Sequence, residues 1–511
     1  MSEIDARAAE EATLHDETKL ALREKSKLRV LIGRMDALVM MLCALVGLDT
    51  VGAVSSDGAQ AITWLLFMAI FFFVPYALLC SELGTTFPEE GGPYVWVKLA
   101  FGRLPAGITT LLYWITNPIW LGGTLTITAI AAFGEFFTPL HGVWKLLFAL
   151  VFIWIAVGAT IFSFNVGKIV LFVGAWARVI LLSFFTITAV VYAAKHGVHG
   201  FGAGAFSPTQ AVFLAAVPVL FFSFEGFELP SEAGEEMLNV KRDVPVNILR
   251  GAVGTVLMYA LPIFAILVIL PPSQQTSLGG FLASVKLIFT VYGGHATATG
   301  SVLTGVGKLF GDLAALGFIL ALLSSASSWI MGGNRGLAVA GLDGAAPKSF
   351  GIISEKFGTP IMVDVIAGVV ATVTMLTAFW LSSGNTAKYF SVVLGVTIST
   401  SAVSYLAIFP ALIKLRYSHS HIPRPFAVPG GKAVVWAVGV LTTLWALVAT
   451  VALLYPGVGT SDPDASLPSG WTGQRLTFEF TQAIPLIVIV ALGVVWYRMG
   501  AETRREIAAK A

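Results

Sequence analysis

Of 511 residues, 56% are apolar and only 12% are charged, about half the charged share of a soluble domain, so water is not the main solvent of this surface. The net charge of +2 sits in short basic runs between apolar blocks, which excludes a nucleic-acid-binding face. Cys43 and Cys80 fall inside apolar stretches and read as buried small hydrophobes, not as a disulfide or metal pair.

Residues 1–34 are polar and charge-rich and read as a cytoplasmic tail without a cleavable signal. A bilayer core about 30 Å thick takes about 20 apolar residues per helix. Blocks of that length lie near 36–56, 60–83, 104–134, 143–163, 167–193 and 209–235. Six more lie near 246–271, 304–340, 360–382, 387–415, 432–454 and 480–498. Backbone polar groups in lipid must pair internally, so the pattern predicts an all-α membrane protein with twelve transmembrane helices. With the first residue inside, the inner segments collect most Lys and Arg, from Lys19–Arg34 through Lys98, Arg103, Lys241 and Arg242 to Arg424 and Arg504. The outer segments hold only Lys145, Lys195, Lys286, Lys308, Lys388 and Arg475. An inner-membrane, multi-pass protein with both termini cytoplasmic is expected. The outer loops near 272–303 and 455–479 are too short for a separate soluble domain.

Two of these helices are interrupted at depth. In the first, residues 47–52 (Gly-Leu-Asp-Thr-Val-Gly) place two glycines, Asp49 and Thr50 in the middle of an apolar run. In the sixth, residues 223–230 (Ser-Phe-Glu-Gly-Phe-Glu-Leu-Pro) do the same with Glu225, Glu228 and Pro230. Breaks five helices apart predict two inverted five-helix repeats whose unwound segments face each other at the bilayer midplane. The repeats would span 35–200 and 201–416, followed by a loop and two helices over 417–498 and a cytoplasmic tail over 499–511. Unpaired amides and carbonyls at such breaks suit the carboxylate and ammonium of an amino acid.

Other polar residues at depth are Asn117, before Pro118 and near Trp120, and the serines 324, 325, 327 and 328. Asn117 reads equally as a pocket wall and as part of a proline kink, whereas the serines could coordinate a sodium ion but fit better as small residues for tight helix packing. Arg178, within the fifth helix, requires an acid or several carbonyls as partner. Glu135, His141, Asp312 and Asp364 lie near helix ends and read as interfacial. No nucleophile–base set and no phosphate-cradling loop is recognisable, so enzyme chemistry, ATP coupling, cofactors and metals are not expected.

Three collinear stretches carry a resemblance. Residues 81–96 (SELGTTFPEEGGPYVW) with Ala100-Phe101-Gly102 form the first. Residues 222–228 (FSFEGFE) with Glu235, Glu236 and 241–245 (KRDVP) form the second. Asn334-Arg335-Gly336, residues 343–347 (DGAAP) and Gly358-Thr359-Pro360 form the third. Together they resemble the amino acid–polyamine–organocation permeases. Residues 328–332 (SWIMG) and 424–432 (RPFAVPGGK) are similar to the bacterial glutamate/γ-aminobutyrate antiporter branch. The resemblance implies a leucine-transporter-type fold of 5+5 inverted repeats plus two helices, alternating access, and an amino acid or related amine as cargo. The first break reads Gly-Leu-Asp where that family commonly has Gly-Ser-Gly. Arg178 falls close to a fifth-helix lysine that replaces sodium in some proton-coupled relatives.

The expectation is a secondary transporter of amino acids, an exchanger or a proton-coupled permease. Asp49, Thr50, Gly52 and Ala53 would line one side of its site, and Ser223, Phe224 (as a gate), Glu225 and Gly226 the other. Asn117 and Trp120 would add a wall, with Arg178 and Glu228 as coupling or structural charges. Protons and the bilayer are the other partners. A polyamine or monoamine permease and an amino-acid-binding membrane sensor are the alternatives.

Overall fold

A computed structural model describes residues 19–509 apart from 29, 199–201, 272–274, 276–278, 298–299, 382–385 and 469. Most of the expected N-terminal tail, residues 1–18, therefore lies outside the described residues. Among the described residues, eleven helices are long and apolar enough to cross a bilayer. They are Arg34–Ser55, Gln60–Thr86, Arg103–Phe136, Gly142–Ile161, Gly167–His196, Val240–Ile269, Gly305–Leu342, Ile361–Trp380, Lys388–Ser418, Gly431–Leu454 and Arg475–Met499. The twelfth expected span, the sixth in order, is helical only over Gln210–Ser223 and Leu229–Glu232 because the chain breaks between them. The leucine-transporter-type reading and the twelve apolar blocks thus fit one all-helical architecture.

Burial sorts the spans into an inner and an outer set. The most apolar window of the first span is 89% buried within the protein, that of the tenth 78% and that of the third 67%. The twelfth reaches only 28% and the fourth 33%, so those spans carry the lipid-facing surface. Exposed Ile70, Phe71, Val190, Trp380 and Ile487 belong to that surface, where lipid tails replace water.

The sixth span breaks where backbone chemistry demands it. Gly226 sits at φ 129°, a conformation that a side chain disfavours, and Pro230 opens the second half-helix, where its missing amide costs nothing. The first span breaks one step earlier than the 47–52 centre expected from sequence. Its halves are Arg34–Leu45 and Leu48–Ser55, joined by Val46 and Gly47. Side chains replace the missing ladder there. The Gly47 amide donates to Tyr259 Oη at 2.9 Å, and Thr50 Oγ1 donates to the Gly47 carbonyl at 2.8 Å. Gly52 and Ala53 are therefore helical rather than unwound.

The outer loop read as plain connection contains a largely buried helix, Gly280–Phe289, and a hairpin of Gly294–Thr297 with Gly300–Leu303. Short apolar helices of this kind look the same as loop in a hydropathy scan for spans.

The face that carries both described chain ends is held by buried ion pairs. Glu24 Oε2 takes the amide of Ile353, and Arg504 donates to the carbonyl of Gly344, which puts both ends on one side. Glu82 receives Arg416 at 2.6 Å, Arg424 at 3.3 Å and the Val428 amide at 2.7 Å. Arg335 pairs with Glu236 and lies 3.5 Å from Glu90. Asp343 receives Lys98 at 2.9 Å, Arg103 at 3.1 Å and the Tyr94 hydroxyl at 2.5 Å. Burial pushes the Asp343 carboxyl up, but Lys98, Arg103 and Tyr94 together outweigh it and hold the group below its usual range. The three resembling stretches meet here. A Cβ on Gly92 would lie 2.8 Å from the Ser231 backbone, so the stretch after the second span needs glycine to touch the sixth.

Candidate substrate-binding site

A small cavity lies between the broken spans, with free room for roughly one water molecule. Ala44, Leu45, Gly47 and Thr50 of the first span and Phe222 and Ser223 of the sixth line it. Trp120, Tyr259 and Trp329 complete the wall from the third, seventh and eighth spans. Anything larger than water requires these side chains to part. The eighth span also caps the first half-helix: Ser328 Oγ donates to the Met40 carbonyl at 2.8 Å and Trp329 Nε1 to the Ala44 carbonyl at 3.2 Å. The Ala44 carbonyl would otherwise be orphaned at a helix end in the core, whereas the Met40 carbonyl takes Ser328 as a second donor.

The expected site residues separate into those at the cavity and those beside it. Thr50, Trp120 and Ser223 line it, and Asp49 adjoins it by accepting Trp120 Nε1 at 2.8 Å and Thr124 Oγ1 at 3.3 Å through Oδ2. Phe224 does not face the cavity. Its ring stacks on Phe73 at 4.5 Å, and the nearby Phe222 lines the cavity instead, edge-on to Trp120 at 5.6 Å. Two residues apart at the end of one helix, these rings point to roughly opposite sides, and spacing alone does not say which side holds the cavity. Asn117 also faces elsewhere, donating to the Trp329 carbonyl at 3.1 Å and tying the third span to the eighth. Gly226 donates its amide to Tyr76 Oη at 3.1 Å.

Glu225 and Glu228 point toward the tenth span and its neighbours. Glu225 Oε2 accepts Ser401 Oγ, while Oε1 has no partner among the described residues. Glu228 is clamped by three phenols. Tyr113 donates to Oε1 at 2.8 Å, Tyr405 donates to Oε1 at 2.6 Å, and Tyr76 donates to Oε2. These tyrosines, Tyr259 and Ser401 were missed in the sequence. A hydroxyl inside an apolar block needs a partner, and that was the available signal.

Arg178 is fully buried and finds its partners on the eighth span. Its Nη2 donates to the Ala321 carbonyl at 2.8 Å, to Ser325 Oγ at 2.6 Å and weakly to Ser324 Oγ at 3.4 Å. Asp364 is not interfacial, contrary to its reading near a helix end. It is 1% exposed and accepts Asn334 Nδ2 at 2.6 Å and Thr160 Oγ1 at 2.9 Å, because the ninth span starts beneath the third resembling stretch.

The family model described as amino acid permease matches residues 32–472. The chain belongs to this family. It is a multi-pass membrane transporter, as the family is, and not an enzyme. This permease is similar to an uncharacterized transporter of Legionella pneumophila, 28% identical over 76% of the chain and 83% of that relative. It is similar to a probable agmatine/putrescine antiporter of Lactococcus lactis at 26% identity over 89% and 92%. A glutamate/γ-aminobutyrate antiporter of Lactococcus lactis matches at 22% identity over 75% and 76%.

Proposed function

We propose that the permease exchanges small amino compounds, amino acids or their amine derivatives, by alternating access around the cavity between its broken spans. One observation carries this reading: two helix breaks, in the first and sixth spans, meet at a cavity walled by five spans. Such a site can open to either side when the spans around it rock, since no single helix closes it. Two relatives are named as antiporters, which favours exchange over one-way uptake. Thr50, Trp120 and Ser223 contact the cargo, with Asp49 beside them. Gly52, Ala53, Asn117, Phe224 and Gly226 hold the backbone and walls in place. Glu225 and Glu228 are the groups available for proton coupling. Arg178 is a fixed charge bridging the fifth and eighth spans, and arginine does not give up its proton. The resemblance puts Arg178 close to the fifth-helix lysine that replaces sodium in some proton-coupled relatives, so its guanidinium fills that volume and transport is sodium-independent.

The test is counterflow in liposomes holding the purified protein. Preloaded amino acid or amine should drive uptake of its labelled form, and replacing sodium by choline should leave the rate unchanged. Ligand binding without counterflow would show a sensor instead. Sodium-stimulated exchange would remove the role given to Arg178.

A further inference from the structure

We propose that the Asp49 carboxylate, with the hydroxyls of Thr50 and Tyr259, receives the ammonium or guanidinium group of the cargo, so that the cargo is an amine lacking an α-carboxylate. This rests on the cavity between the broken spans being the substrate seat, and it names the substrate class of that seat.

Three oxygens from three side chains surround the bare face of Gly47. A Cβ placed there would lie 3.1 Å from Asp49 Oδ1, 3.6 Å from Thr50 Oγ1 and 3.6 Å from Tyr259 Oη. Gly47, Thr50 and Tyr259 all line the cavity, so this oxygen cluster opens onto it. Asp49 is 4% exposed, and its two oxygens are treated differently. Oδ2 is held by the Trp120 indole, which can only donate, and by Thr124. Oδ1 has no hydrogen-bond partner among the described residues, and no Lys or Arg pairs with Asp49. A buried carboxylate without a cation is expensive, and a cationic ligand removes that cost. Thr50 and Tyr259 keep acceptor capacity. Each spends its proton on, or beside, the Gly47 carbonyl, and only Tyr259 takes an amide. Trp120 and Trp329 line the same cavity, and such aromatic walls favour an organic cation over a bare metal ion.

The same residue excludes a carboxylate. The half-helix Leu48–Ser55 points the positive end of its dipole at the break, where an anionic cargo group would dock. Asp49 stands in the first turn and already occupies that end with its own charge. An amino acid's carboxylate would meet a fixed like charge there.

The test compares agmatine with arginine, which differ only by that carboxylate, and adds putrescine, sodium chloride and choline chloride. Binding to the purified full chain is read as thermal stabilisation and by calorimetry. Agmatine or putrescine should bind at least tenfold more tightly than arginine, and Asp49→Asn should weaken the amine at least tenfold. Gly47→Ala, which places a methyl group among the three oxygens, should weaken it likewise. The wild-type comparison needs no variant to fold. Equal or tighter binding of arginine, stabilisation by sodium alone, or an Asp49→Asn protein with unchanged amine affinity would each overturn the proposal. If amino acids exchange by counterflow while Asp49→Asn has no effect, only this inference fails. If no amine or amino acid binds or exchanges, both this inference and the transport reading fail.

Discussion

Two groups of buried acidic residues in this permease are held in opposite ways. At the face bearing the chain ends, Glu82, Glu236 and Asp343 each meet guanidinium or ammonium groups. At the level of the helix breaks, Asp49, Glu225 and Glu228 meet only hydroxyls and an indole. Arg178, the buried cation of the bundle interior, is engaged on the eighth span instead. Buried carboxylates paired with cations act as clasps, because breaking one side leaves a charge stranded in the core. Carboxylates held only by hydroxyls keep capacity for a cation from outside the protein. Under the proposed function, the contrast separates the residues that make the fold from those that serve transport.

The sharpest way to break this comparison is to strand a charge at the clasped face. Arg335→Met leaves Glu236 and Glu90 without their shared cation and should cost about 3–5 kcal/mol, seen as a large fall in thermal unfolding temperature. Replacing Glu236 by Leu in the same protein should recover most of that loss; an undiminished loss would mean the pair is not the cause. Glu82→Gln keeps shape but gives up charge-assisted bonds to two arginines and should cost about 1.5–3 kcal/mol. At the breaks the order of effects should reverse. Glu225→Gln should stay within about 1 kcal/mol of the parent in stability, yet slow exchange in liposomes. A loss of stability as large as that of Arg335→Met would erase the distinction between the regions.

The smallest effect concerns pH at the clasped face. The Asp343 carboxyl is held below its usual range, so its contribution is present above the ordinary value of about 3.9 and fades as pH falls below it. The stability gap between the parent and Asp343→Asn should be constant from pH 7 to pH 5 and narrow below about pH 4. A gap that closes on going up from pH 5 to pH 7 would give the wrong sign.

Hydropathy made the spans legible because lipid demands about 20 apolar residues whatever their packing. The broken first and sixth spans were legible too, since Gly47, Gly226 and Pro230 sit beside acids where a plain helix would have neither. What stayed hidden depends on side-chain direction. Phe222 and Phe224 are two residues apart just before a break, and only the packed fold decides which faces the cavity. Tyr76, Tyr113 and Tyr405 converge on Glu228 from three spans, which no local pattern encodes. The stretches that revealed the family turn out to lie mostly at the clasped face. Arg335, Glu236 and Asp343 all belong to them, so the most recognisable residues say most about closure and least about cargo.

The most direct test of the account is whether the exchanged compound sits in the cavity between the breaks. Ser223→Cys places a thiol on the cavity wall, and replacing Cys43 and Cys80 by Ala in the same protein leaves it as the sole thiol. In proteoliposomes, whichever compound is exchanged should slow labelling of that thiol by a charged thiosulfonate, with half-protection near its half-saturating concentration for exchange. Active exchange with no protection at any concentration would place the cargo elsewhere and contradict the account.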